Sequence, residues 1–203
     1  MRQEDYIGLI NFRKIGDTAR KKVLFLNEVA ARAGISKYAI TNVMASRYIP
    51  TTEVVIGICA AMECSITDVV EFSGFEIRDL YKGRSGFVAH KAAVDELYKV
   101  SYEPLRQLFK DNYKDNWLNK LKQFFDVVPK IDMTESDKAR VERMTLAKFG
   151  PELAEKLTYN LKTVGLSQNV KYAILNDRPI NFRYVYNICK TLYCTPDFVV
   201  TYK

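Results

Sequence analysis

The chain holds a single histidine, His90, with no companion histidine and no evident acid partner, so the commonest general base and a common zinc ligand are all but missing. Its four cysteines stand as Cys59-x4-Cys64 and Cys189-x4-Cys194. These are too few for a disulfide framework in 203 residues and looser than the C-x2-C pairs of structural zinc, so no metal and no other cofactor is expected. A glycine-rich phosphate loop, a nucleophile elbow and a paired-carboxylate motif are all lacking, and the chain does not read as an enzyme. No run approaches the roughly 18 consecutive apolar residues of a membrane helix, and the start, MRQEDYIGLINFRKIGDTARKK, lacks the apolar stretch of a secretory leader. A cytoplasmic protein with no membrane contact is therefore expected.

What is present is material for a core and an uneven charge. Hydrophobic residues make up 48% of the chain, enough for one large domain or two small ones. Lys and Arg outnumber Asp and Glu by 31 to 24. Residues 1–47 carry nine basic and four acidic side chains, whereas residues 48–77 carry no basic ones and five acidic ones: Glu53, Glu63, Asp68, Glu71 and Glu76. Clustering of the basic excess favours a polyanionic partner.

The chain also repeats itself. Setting AGISKYAITNVMASRYIPTTEVVIGICAAMECSITDVV above VGLSQNVKYAILNDRPINFRYVYNICKTLYCTPDFVV pairs Gly34 with Gly165, Ser36 with Ser167, Arg47 with Arg178 and Ile49 with Ile180. With one residue dropped after Ile180, Val55 pairs with Val185, Ile58 with Ile188, Cys59 with Cys189, Cys64 with Cys194, and Val69-Val70 with Val199-Val200. Two separated copies, with no third, make a pair of modules and not a solenoid.

The first copy divides into short helices. Leu26, Val29, Ala30 and Ala33 recur at i, i+3, i+4 and i+7, and Gly34 then supplies a residue that ends a helix with φ above zero. Ser36 suits the cap of the next helix, whose inward side is Ile40 and Val43 with Ala39 and Met44 beside them. Thr51 or Thr52 suits the cap of a third helix that buries Val54, Val55, Ile58, Cys59 and Met62, and Ser65-x-x-Asp68 has the form of a capping box. An earlier helix is placed somewhere within Tyr6 to Lys22. Lys37, Tyr38, Thr41 and Asn42 fall on the side of the Ser36 helix opposite its apolar ridge.

Leu26, Val29, Ala30, Ala33, Gly34, Ile35, Ser36, Ile40, Val43, Arg47, Ile49, Pro50, Ile58, Met62 and Ser65 follow the pattern of a known family. Over about 45 residues the chain resembles the Cro/lambda-repressor type helix-turn-helix regulators, also called the xenobiotic-response-element family. The resemblance implies a lambda-repressor-like helical bundle over residues 1–72. It places the side chains just after Ser36 at base edges, so that Lys37, Tyr38, Thr41 and Asn42 are candidate base contacts, with Ser36, Arg47 and Tyr48 at phosphates. It also makes Cys59 and Cys64 small core residues, a reading that Cys189 and Cys194 inherit. Two departures stand out: Ser46 occupies a position where the family has glycine, and the connection from Gly16 to Phe25 is longer than the family's.

The second copy, 151–203, is a degenerate helix-turn-helix-like bundle. Lys171 takes the place of Ile40, so its apolar side moves to Val170, Ala173 and Ile174, with Gln168, Asn169, Lys171, Tyr172 and Arg178 as candidate contacts. Phe182, Tyr184, Tyr186, Tyr193 and Tyr202 would also suit a surface for a protein partner. Residues 73–86 read as a linker that is solvated or draped along phosphates. Residues 87–150 read as a central helical region, a possible dimerisation element. Its stripes are Ala89, Ala93, Leu97 and Val100; Leu105, Leu108 and Phe109; Trp117, Leu118, Leu121, Phe124, Phe125 and Val128; and a helix from Thr134 to about Phe149.

The expectation is thus an all-α, homodimeric, sequence-specific regulator of double-stranded DNA, a transcriptional repressor of phage or mobile-element type. Its affinity would come largely from phosphate neutralisation. The alternatives are a protein-interaction or inhibitory module acting on a host defence or recombination enzyme, and a nonspecific nucleoid-like binder.

Overall fold

The computed structural model describes residue 6, residues 8–82, 98–128 and 165–203, and the single positions 143 and 147. These residues are mostly helical, with two short antiparallel ladders of two strands each. No helix among them is long and apolar enough to cross a membrane.

The first unit opens on strand β1 (Ile10–Asn11), followed by helix α1 (Lys14–Lys21), which turns Ile15, Thr18 and Ala19 inward at i, i+3 and i+4. Helix α2 (Leu26–Arg32) ends at Gly34, whose φ of +67° is the left-handed value anticipated there, and the Ile35 amide closes back on the Ala30 carbonyl at 3.0 Å. Helix α3 (Lys37–Met44) is capped by Ser36, whose Oγ accepts from the Ala39 amide at 3.0 Å, and its ridge of Ile40 and Val43 is fully buried. Helix α4 (Thr52–Ala61) leads to a 3-10 turn at Ile66–Asp68, where the Ser65 amide donates to Asp68 Oδ2 at 2.9 Å, as the capping box requires. Strand β2 (Glu71–Phe72) returns to β1 with Phe72 opposite Ile10.

The second unit reuses this plan. Strand β3 (Val100–Ser101) pairs with β4 (Thr201–Tyr202), Val100 facing Tyr202. Val100 is thus a strand residue and does not continue a helical stripe. Between the strands lie α5 (Glu103–Tyr113), α6 (Trp117–Val127), α7 (Gln168–Leu175), α8 (Phe182–Leu192) and a 3-10 turn at Pro196–Phe198. Residues 98–128, set apart by the sequence as a central region, here build one unit with 165–203. The Leu166 amide donates to the Phe125 carbonyl at 2.8 Å, the contact that Ile35 makes with Ala30, so α6 stands where α2 stands in the first unit. The chain meets α6 so closely that a Cβ on Gly165, at φ +126°, would lie 3.1 Å from the Asp126 carbonyl oxygen. His90, Ala89, Ala93, Leu97, nearly all of the Thr134–Phe149 helix and the repeat's residues 151–164 lie outside the described residues.

The two units share one core, and the seam is two-fold in character. Thr51 and Asn181, which precede α4 and α8, form an antiparallel bridge in which the Thr52 amide donates to Ile180 O at 2.8 Å and the Phe182 amide to Pro50 O at 2.9 Å. Each bond is the counterpart of the other, as in an isologous dimer. The side chains follow suit: Phe12, just after β1, packs on Phe182 with ring centroids 5.8 Å apart, while Tyr102, just after β3, meets Thr52 hydroxyl to hydroxyl at 3.2 Å. Buried Asp197 reaches across to accept from the Ile66 amide at 2.8 Å and from Thr67 Oγ1 at 2.7 Å; burial pushes its carboxyl up, against the pull of these donors. Because the second unit covers its far side, α4 is buried nearly all round, at Val55, Ile56, Ile58, Cys59, Ala60 and Ala61.

Two expectations about this region are corrected. Phe182, Tyr186 and Tyr202 are buried, Tyr184 is half-buried, and only Tyr193 is exposed, since these aromatics fill the seam and do not form an outer surface. The linker, over its described residues 73–82, is docked: Tyr186 donates to the Ser73 carbonyl at 2.8 Å, the Arg78 amide to the Tyr193 carbonyl at 2.9 Å, and Tyr81 packs on Phe198 at 4.9 Å. The four cysteines are buried and free, and burial pushes the Cys59 and Cys189 thiols up, which suits core residues and not reactive ones.

Candidate nucleic-acid interface

Helix α3 is held from one side only. With Ile40 and Val43 in the core, Lys37, Tyr38 and Thr41 stand exposed together, Tyr38 at 71%. Lys37 offers a cation on a long stem, Tyr38 a ring with a hydroxyl, and Thr41 a hydroxyl whose proton is already given to the Lys37 carbonyl at 2.9 Å, leaving it an acceptor. The Ser36 oxygen accepts within the cap while its own O–H remains to donate outward.

Asn42 does not join this face, contrary to expectation. It is only 8% exposed, and its Oδ1 accepts from Arg47 Nη1 at 3.0 Å. Helical spacing alone would leave Asn42 outward; the loop after α3 covers it. Ser46 adopts φ +51°, the left-handed turn for which glycine is the easy residue, and so sends the chain back until the Arg47 amide meets the Asn42 carbonyl at 2.9 Å. Asn42 therefore positions the exposed Arg47, and a neutral amide does so without cancelling the charge. Tyr48 is half-buried against the core.

In the second unit, Ser167 caps α7, accepting from the Val170 amide at 3.4 Å. Gln168, Asn169 and Tyr172 are exposed, and the exposed Arg178 lays its guanidinium 5.1 Å above the Tyr172 ring. Lys171 is a second correction: it forms an ion pair with Asp126 of α6, leaving its side chain 14% exposed and off the outer face. The loop after α7 turns at Asp177, φ +52°, the counterpart of Ser46. Burial works against the Asp177 charge, but Arg106 at 2.9 Å, Lys203 at 2.8 Å and the Tyr102 amide at 2.8 Å hold its carboxyl at about 2.

Sequence reasoning missed Asp126, Arg106 and Lys203, whose partners lie far away along the chain. One signal was visible for Asp177, the sole acid among five basic residues between 160 and 190. Of the N-terminal basic cluster, Arg20 is engaged by Asp17 at 2.5 Å and Lys22 by the Glu63 carbonyl at 3.1 Å, while Arg13, Lys21, Arg32, Lys37 and Arg47 are exposed. Comparison of the chain with protein-family models, curated proteins and solved structures finds no match.

Proposed function

We propose that this chain is a sequence-specific binder of double-stranded DNA and a transcriptional repressor of the Cro/lambda-repressor type, acting by occluding a promoter. The observation that carries the reading is a short capped helix gripped through Ile40 and Val43, with Lys37, Tyr38 and Thr41 free on its outer side and an oriented Arg47 at its end. A helix about 10–12 Å across fits the major groove, about 12 Å wide, where every base pair shows its own donors and acceptors. Lys37 suits guanine O6 and N7, the Thr41 oxygen suits an exocyclic amino group, and Ser36 and Arg47 suit phosphates on either side. The protein-interaction reading loses its surface, because the aromatics it called on are largely buried in the seam.

The test is selection of bound duplexes from a random pool at physiological salt. A defined site should emerge. Lys37→Ala should relax preference at one base position with a loss on the order of tenfold. Arg47→Ala should weaken all sequences alike and lower the salt slope by about one. Binding that stays flat across sequences would leave the nonspecific reading in its place.

A further inference from the structure

We infer that one chain, without a second copy, reads two unlike half-sites, α3 taking one and α7 the other, so that its target is an asymmetric duplex site. This rests on the DNA-binding reading above and names the kind of site it would bind.

The seam is what a two-fold dimer would use, built within one chain. Each device that presents α3 recurs at α7: the capping serines Ser36 and Ser167, the left-handed turns at Ser46 and Asp177, the exposed Arg47 and Arg178, and the bridge from Thr51 to Asn181 that ties the two loops together. Arg47 lies four residues before Thr51 and Arg178 three before Asn181, so each arginine belongs to one of the two loops that the bridge joins. Two presented helices related by a two-fold seam are the arrangement by which dimeric helix-turn-helix proteins meet successive major grooves.

The outer faces, however, differ. Where α3 shows Lys37, Tyr38 and Thr41, α7 shows Gln168, Asn169 and Tyr172. Lysine suits guanine, while glutamine and asparagine form paired bonds to adenine N6 and N7. A homodimer repeats one set of readers and demands a palindrome; this chain carries two sets. Nor do the apolar sides of α5 and α6 call for a second chain, because Leu105, Phe109, Leu121 and Phe125 are buried inside the second unit.

The full-length chain should select a site of two dissimilar blocks and bind it as one chain per duplex, read by native mass spectrometry. Gln168→Ala with Asn169→Ala, both exposed, should flatten preference in one block and leave the other intact, with affinity for the whole site falling on the order of tenfold or more. Lys37→Ala should relax preference at one position of the opposite block and leave the first intact. A palindromic site holding two chains, or unchanged selection by the Gln168→Ala/Asn169→Ala variant, overturns this inference alone; a pool in which nothing is enriched overturns the DNA-binding reading with it.

Discussion

The two units share a scaffold and differ in how their loops are held. In the first, the neutral Asn42 amide steadies Arg47 by accepting one hydrogen bond from its guanidinium. In the second, Asp177 gathers Arg106, Lys203 and the Tyr102 amide around the turn, while Lys171 is drawn onto Asp126 and Arg178 rests on Tyr172. Residues 26–36 run from α2 into α3 without interruption, whereas 129–164 intervene between α6 and α7, yet the closing bond from Leu166 to Phe125 repeats that from Ile35 to Ala30. What is preserved is the backbone plan: cap, left-handed turn, bridge and ladder. The polar parts have been exchanged for others of different charge.

The comparison can be broken most forcefully at the seam. Phe182→Ala removes a buried ring that touches Phe12 and Phe72, and the expected loss is about 3–5 kcal/mol. Denaturation should remain a single transition by both fluorescence and circular dichroism; two separate transitions would show that the units are independent. Asp197→Ala should cost less, about 1–3 kcal/mol, by stripping the acceptor from the buried Ile66 amide and the Thr67 hydroxyl, as a urea midpoint would show.

The caps sharpen the comparison further. Ser36→Ala should lose about 1 kcal/mol in chemical denaturation, and Ser167→Ala less, because its cap contact is 3.4 Å against 3.0 Å. The smallest effect is expected from pH. The folded-state pKa of Asp177, about 2, lies below its ordinary 3.8, so the stabilisation it supplies is present above about pH 4 and is lost as pH falls toward 2. Across that window the melting temperature of wild type should fall further than that of Asp177→Asn, by a modest margin because the network is partly solvent-screened.

The local devices were legible because their causes are local. Gly34, Ser36 and the Ile40–Val43 ridge declare a helix end, a helix start and a buried side within ten residues, and Gly165 and Ser167 repeat the message. Asn42 escaped the same logic because its burial comes from the loop that folds over it. The two-residue ladders are too short to show an alternating pattern, so the spacing alone places Val100 on a helical stripe. The role of α6 was hidden by the 129–164 insertion, which breaks the sequence match where the structure continues it. One clue to the seam was present: TEVVIGICAA has apolar residues around its whole circumference, a pattern that needs cover on both sides.

That double cover has a consequence for synthesis. β1 waits for β2 some sixty residues later, and α4 waits for residues beyond 180 before its far side is covered. A chain emerging from the ribosome therefore leaves Val55, Ile56 and their neighbours uncovered until residues beyond 180 have been translated, and its assembly is paced by contacts remote in sequence. A fragment stopped at residue 72 keeps that greasy flank permanently bare, and should aggregate where the intact chain does not.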